Sequence, residues 1–429
     1  MSTDKKTDGF SALGSSKYVK VEIQKTVGYG RASSTSEEYD IKGKVTDIRY
    51  YESLYSPVVS GALIYVDAGD SLRSNIPLAG NESLNIKIES KYGTLDRDGW
   101  FKCLRINGLP ELAKDFCSES LFLPLIGQYE IMDKSTQRKV NEKFENLLIS
   151  DSVKKILKRL GVRDDQMLVE PTKNRYDFHG KGKNPISLLL KLARKSVPVK
   201  GDPGFFFWET QAGFNFKSAS ELVAQEPKET YAYNGMMRAK NNFNDFKIMQ
   251  QPVFTKDQDV MNAINSGTYV SRNIYFNPAN GKYIEKIYRL NDGKIEKTLG
   301  KDVDIDKELS DSFVRTNMHV LDVGSLKSGV SDEVNNNPLE WQAKSTMRYN
   351  TLHTQMLEIQ VPCNLQLMAG DVVKIEIENL TAEKCSETLN KHQSGKYLIL
   401  HLCHSFNPNE SITSLTLIRD TYGLHTGKK

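Results

Sequence analysis

Two stretches far apart in the chain repeat one pattern, and it is a β pattern. The first runs Leu78-Ala79-Gly80-Asn81 into Leu84-Asn85-Ile86-Lys87-Ile88-Glu89; the second runs Leu367-Met368-Ala369-Gly370-Asp371 into Val372-Val373-Lys374-Ile375-Glu376-Ile377-Glu378. Each is an apolar lead-in, a Gly turn beside an Asx residue, and a run whose aliphatic residues alternate with charges, the period-2 signature of a half-buried strand. The loops differ by one residue, so the repeat is structural rather than literal. It predicts one β-module used twice with other material between the copies. Such a chain can present quasi-equivalent surfaces to a partner of higher rotational symmetry than its own.

At 429 residues the chain is long enough for three compact units. Hydrophobic content of 38% with a mean hydropathy of −0.49 leaves much polar surface. No apolar run reaches the length of a membrane span. Residues 1–17 lack the apolar core of a signal peptide and read as a disordered polar tail. The 58 basic and 54 acidic side chains are intermixed, which makes no nucleic-acid footprint. Lys154-Lys155 and Lys158-Arg159 are basic but fall on a predicted helix, as a solvated face. Five widely spaced cysteines (Cys103, Cys117, Cys363, Cys385, Cys403) without a CxxC pair predict reduced thiols and assembly in a cytoplasm.

From Tyr18 to about Gly127 the chain reads as closely spaced strands: Tyr39–Ile48, Gly61–Val66 and Trp100–Ile106, with turns at Pro57, Gly69-Asp70, Pro77, Gly80-Asn81 and Gly93. This predicts a small antiparallel barrel or sandwich. Helical periodicity follows, with Ser150 as a cap and Gly161 as a stop, then Asn184-Pro185 opening a second helix. A strand pair, Phe205–Trp208 with Phe214–Phe216, precedes a capping box at Ser218 and Glu221. Tyr231–Met249 pairs as β; Thr255 and Gln258 cap a helix through Ile264 that Gly267 stops. Tyr269–Leu299 reads as hairpins with turns at Pro278–Gly281 and Asn291–Gly293, Ser325–Asn337 as a mobile loop, Trp341–Thr351 as a helix, and Met356–Leu424 as β again.

One cluster tempts a chemist: His401-Leu402-Cys403-His404, with Cys385 and His392 upstream. Imidazole and thiolate are good zinc ligands, but on a strand His401 and Cys403 share one face and His404 takes the other. No GxSxG, HExxH, P-loop or GxGxxG motif is present. The aromatic run Phe205–Trp208 faces both ways along a strand and reads as core rather than as a stacking platform. No active site, cofactor or structural metal is expected.

At these same residues the chain resembles the baseplate central hub protein of contractile-tailed bacteriophages. Tyr39 to Ile88, with Glu52-Ser53-Leu54-Tyr55 in its middle, is similar to the family's first barrel. Phe205–Glu209, Gly213-Phe214-Asn215 and Gln225-Glu226-Pro227 match its middle section in order and spacing. Leu365–Gly370, Lys396–Ile399, His404-Ser405-Phe406 and Ser411–Leu415 match its closing β-segments.

The resemblance implies an α+β, mainly β chain with two homologous antiparallel tube-type β-barrel domains, a mixed α/β middle domain, and a second barrel discontinuous in sequence. Residues 18–128 would form the first barrel, 129–224 with 256–342 the middle domain, and 225–255 with 343–424 the second barrel, between tails at 1–17 and 425–429. The segment 301–336 has no counterpart in the family. A homotrimer would place six barrels in a ring that adapts the hexameric tail tube, or a tube-initiator ring, to the trimeric spike protein. Neighbouring baseplate proteins would be further partners, DNA would pass through the lumen unread, and no membrane is involved. The location implied is the tail baseplate of the virion, after assembly in the host cytoplasm. Ile86, Ile88, Val373, Ile375 and Ile377 would point into the barrels; Lys87, Glu89, Lys374, Glu376 and Glu378 would face the lumen or neighbouring chains. His404 matches a family position, with strand architecture as its role. Two other readings stand beside this one: a hub or spike component of a non-phage contractile injection system, and a metal-dependent enzyme using His401, Cys403 and His404.

Overall fold

A computed structural model of the chain describes residues 15–24, 38–68, 72, 78, 80, 82–99, 101–108, 111–114, 118–233, 243–290, 299–300, 306–312, 314–323, 334–378 and 389–422. The expected turns at Gly69-Asp70, Pro77 and Asn291–Gly293 lie outside the described residues, as do Ala79, Asn81, Trp100, Cys117, Cys385, both chain ends and most of the predicted loop 325–337.

The first third consists of β1 (Ser16–Gln24), β2 (Glu38–Asp40), β3 (Val45–Ser53), β4 (Ser60–Ala68), β5 (Ser83–Ser90), β6 (Gly93–Arg97), β7 (Leu104–Ile106), β8 (Glu111–Lys114) and β9 (Ser118–Gly127). They wrap one core of Val21, Ile48, Leu63, Ile86, Ile88, Leu121 and Leu123, to which Cys363, Leu365 and Phe406 from the far end of the chain also belong. The strand expected over Tyr39–Ile48 is broken. The Asp40 carboxylate accepts from Lys42 N at 2.9 Å, and a 3-10 turn over Lys42–Lys44 separates β2 from β3. A short Asp side chain has offered the backbone an alternative to the ladder. Of the described residues of the expected Trp100–Ile106 strand, Leu104–Ile106 form it, while Lys102 N and Cys103 N both turn back to Gly99 O.

The middle holds helices Gln128–Lys134, Ile149–Leu160 and Pro185–Lys195, the short strands β10 (Lys143–Phe144), β11 (Met167–Val169) and β12 (Phe178–His179), and the hairpin β13 (Phe205–Thr210) and β14 (Gly213–Ser218). Asn184 and Pro185 open their helix, Gly161 closes the earlier one in the left-handed region, and Ser218 Oγ accepts from Glu221 N at 3.1 Å, each as the sequence predicts. Ser150 is not a cap. The helix begins one residue earlier, and Ser150 N is met by Thr172 Oγ1 at 3.0 Å, so a tertiary partner does the capping.

The last third adds β15 (Glu229–Tyr233), β16 (Val253–Lys256), β17 (Val270–Phe276), β18 (Tyr283–Arg289), β19 (Thr316–Val320), β20 (Gln355–Pro362), β21 (Val372–Ile377), β22 (Gly395–Phe406) and β23 (Ser411–Arg419). The predicted cap at Thr255 is overturned: Thr255 lies in β16, at the bulge between two residues that pair with β20, and Asp259 caps helix Val260–Asn265 instead. The predicted helix start at Trp341 moves to Gln342. Strands β17, β18 and β19 form a separate sheet in the order β18-β17-β19, so part of segment 301–336 becomes a strand. Helix Gln342–Leu352 packs on that sheet through Ala343 and Met347. Asn335 and Asn336 fasten it to the helical middle by hydrogen bonds with Asp177, Asn174 and Lys195.

The rest of the terminal section pairs as β16-β20-β23-β22, with β21 and β15 beyond β22, around a core of Tyr231, Leu357, Ile359, Val373, Ile375 and Leu417. Strand β22 pairs on with β3, so one hydrogen-bonded sheet of fifteen strands crosses from the end of the chain to its beginning. The two repeated stretches are β5 and β21, each preceded by a Gly of positive φ (Gly80 78°, Gly370 93°). A Cβ at Gly370 would also meet Trp208 Cζ2 at 2.7 Å, which gives this glycine a second reason. Around them the pairing differs: β5 is antiparallel to β1, β21 parallel to β15.

Candidate functional site

The charges singled out in the repeats stand on the outward side of their strands. Ile86, Ile88, Val373 and Ile375 are at most 1% exposed, while Lys87, Glu89, Lys374, Glu376 and Glu378 are half-buried. The outward groups pair among themselves, Lys374 with Glu376 at 2.6 Å and Lys87 with Asp96 at 3.9 Å.

The His/Cys cluster lies on the seam between β22 and β3, where His401 faces Ser53 and His404 faces Tyr50. His404 is buried, stacks on Tyr50 at 6.3 Å and shares a hydrogen bond with Thr413 Oγ1 at 2.8 Å. Burial lowers its pKa to about 3, so it is neutral in the folded chain. His401 is exposed on the other face and bonds Ser53 Oγ at 2.7 Å. Cys403 shares that face, and burial raises its thiol pKa to about 11, away from thiolate chemistry. His392, upstream, stacks on Tyr422. Among the described residues no three His, Cys, Asp or Glu side chains gather as a metal site requires.

The outward face of the seam forms a groove of about 440 Å³ whose lining includes Tyr51, Ser53, Glu358, Gln360, His401 and Thr416. Its surface continues across β3, β22, β23 and β20, and Arg49 on β3 is held by Asp47 at 2.7 Å.

Beneath the seam sits a polar knot that sequence reasoning did not find. Glu52, on the inner face of β3, accepts from Gln211 N at 2.7 Å, Ala369 N at 2.9 Å and Tyr50 Oη at 3.0 Å. Burial raises its pKa to about 7 against the pull of those donors. Beside it Arg97 donates to Glu209 Oε1 at 2.8 Å, and Glu209 Oε2 accepts from Val59 N at 3.2 Å. Burial works against the Arg97 charge, but its neighbours, Glu209 first among them, raise its pKa overall and keep the guanidinium protonated. Trp208 Nε1 donates to Ala369 O at 3.0 Å. Strands of the first third, the β13–β14 hairpin and the turn before β21 therefore meet in one hydrogen-bonded cluster, in which Arg97 Nε alone of these groups lacks a partner. A charged residue inside an aromatic run, Glu209 after Phe205–Trp208, was the available signal.

What the arrangement does is lock three segments together beneath a continuous outer face. Comparison with solved structures shows the fold, which this chain shares with two tail proteins. The tail protein of Neisseria meningitidis MC58 superposes with a TM-score of 0.53 at 13% identity, covering 94% of this chain and 96% of that one. The 43 kDa tail protein of prophage MuSo2 from Shewanella oneidensis gives 0.53 at 10% identity, covering 94% and 98%. In sequence the chain is 23% identical over 397 residues to the "Probable baseplate hub protein gp334" of Vibrio phage KVP40, covering 89% of this chain and 91% of that protein. The resemblance to phage baseplate hub proteins read from the sequence stands on that match. No family model matches the chain.

Proposed function

We propose that this protein is a structural hub of a phage tail baseplate, working as a homotrimer that joins the hexameric tail tube to a trimeric spike. The observation that carries the reading is the collinear match over nine-tenths of both chains to a baseplate hub protein. The shared sheet supports it. A ring wall needs units that join edge to edge, and β22 with β3 makes one such joint inside the chain. The two units so joined correspond to two tube-type barrels, and three chains would supply six. The face of Arg49, Tyr51, Ser53, His401, Cys403 and Ser405 is continuous across the joint and is the face we assign to the lumen. It carries little uncompensated positive charge, as a conduit for DNA requires, since each phosphate contacted adds salt-dependent affinity and slows passage. Lys87, Glu89, Lys374, Glu376 and Glu378 are then assigned to contacts with neighbouring chains.

The work is done by surfaces, not catalysis, with permanent interfaces on the order of 2,000 Å² or more. No described helix is long and apolar enough to cross a membrane. The place of action is the virion baseplate, after assembly in the host cytoplasm. Light scattering, alone and with candidate spike and tube proteins, tests this. Three chains per particle are expected, and a monomer that joins neither partner would refute it.

A further inference from the structure

Apart from the seam, the molecule has a second cavity, of about 140 Å³, between the inner face of the β18-β17-β19 sheet and helix Gln342–Leu352. Arg315, Asn317 and His319 reach it from β19 and the residue before it, Ser271 and Asn273 from β17, and Gln342 from the helix. Ala343 and Met347 complete an apolar floor. The volume suits several waters or one small polar ion.

The hydrogen bonds fix what this wall offers. Gln342 Nε2 lies 2.8 Å from His319 Nδ1 and must donate to it, which leaves His319 Nε2 protonated and donating to Asn273 Oδ1 at 3.3 Å. Burial lowers the His319 pKa, in keeping with a neutral ring. Asn273, only 1% exposed, also accepts from Asn317 Nδ2 at 3.3 Å and donates to Ser271 Oγ at 2.9 Å. Arg315 is positioned by Nε to Asn317 Oδ1 at 3.1 Å and by one terminal nitrogen to Ser266 O at 3.3 Å. Of the wall's side-chain acceptors, Asn273 Oδ1, Asn317 Oδ1 and His319 Nδ1 are engaged and the Gln342 amide oxygen is left over, while N–H and O–H groups outnumber it: the rest of the Arg315 guanidinium, the second amide hydrogens of Asn317 and Gln342, and the Ser271 hydroxyl. No carboxylate lines the cavity, and none pairs with Arg315 among the described residues. A confined space with surplus donors and one guanidinium selects an acceptor-only ligand of negative charge.

We propose that this cavity binds one small oxyanion: a free phosphate or sulfate, or a carboxylate offered by a partner molecule. Nothing in this rests on the hub reading.

The test is thermal melting of the full chain in millimolar phosphate, sulfate, acetate or acetamide, with chloride matching the ionic strength, in the wild type and in Arg315→Gln. A saturable rise in melting temperature with an oxyanion, weakened at least tenfold in apparent affinity by R315Q, is expected. A response to phosphate or sulfate identifies a free tetrahedral anion; a response to acetate alone, and not to acetamide, identifies a carboxylate. Sulfate also stabilises proteins generally by exclusion from their surface, so an equal rise in both proteins overturns the proposal, as does no rise beyond the chloride control. Should R315Q not fold, crystals of the wild-type chain soaked in selenate decide the matter: an anomalous peak in the cavity supports the site, and water alone there refutes it.

Discussion

Removing Glu209 should show what the polar knot contributes. Arg97 and Glu209 are 3% and 2% exposed in their side chains and 2.8 Å apart, so Glu209→Met leaves a guanidinium buried without its counter-charge and strips Val59 N of its acceptor. Breaking a buried pair from one side costs about 3–5 kcal/mol, most of it the desolvated charge left behind. Arg97→Met should cost a similar amount by stranding the carboxylate. The double variant removes both charges, so it should lose less than the two single losses together, with a coupling of about 2 kcal/mol or more. Arg97 Nε already lacks a partner, which lowers the cost of removing that side chain. For a chain of this length unfolding as one unit, 3–5 kcal/mol lowers the melting temperature by about 3–6 °C. Trp208, the residue before Glu209 and 1% exposed, is a fluorescent reporter in the right place. Single losses below about 1 kcal/mol, or strictly additive ones, would refute the reasoning.

Other measurements check the remaining structure. Ile88→Ala or Ile375→Ala empties a fully buried site and should destabilise by about 2–5 kcal/mol in urea titration, whereas Lys374→Ala should change little; the reverse order would mean the strand register is wrong. His404 has a pKa of about 3 when folded and about 6.5 when exposed, so the native state binds fewer protons in that window. Its contribution to stability is present above about pH 6.5 and is lost as the pH falls toward 3. His404→Phe should make the acid limb of the stability–pH curve shallower, and an unchanged limb would argue against a buried neutral imidazole. Cys403, with its thiol raised to about 11, should alkylate slowly at pH 7.5, yet faster than the buried Cys103 and Cys363 when adducts are mapped by mass spectrometry.

What the sequence made legible was whatever local pattern and turn chemistry decide. The β5 and β21 alternation, the Phe205–Phe216 hairpin, Asn184-Pro185 and Gly161 need only near neighbours, and the structure agrees with each. Ser150 and Thr255 failed for one reason, a distant segment: Thr172 meets Ser150 N, and β20 pairs with the residues on either side of Thr255 and so holds it in a strand. The seam was illegible because pairing β22 with β3 is a tertiary fact. The polar knot was hidden likewise, its carboxylates at 52 and 209 having no spacing that sequence can recognise.

The joint between β22 and β3 also bears on how the chain comes off the ribosome. Ser53 and His401, bonded across it, are 348 positions apart. At a synthesis rate of about 5–20 residues per second, β3 waits about 20–70 s for the strand that will cover its edge. During that interval the nascent N-terminal third exposes an unpaired row of N–H and C=O groups beside an apolar core still lacking Phe406, Cys363 and Leu365. An open edge of this kind invites pairing with other nascent chains. Truncation before residue 401 should therefore yield aggregates rather than a soluble fragment, so that β22 decides the solubility of the first hundred residues.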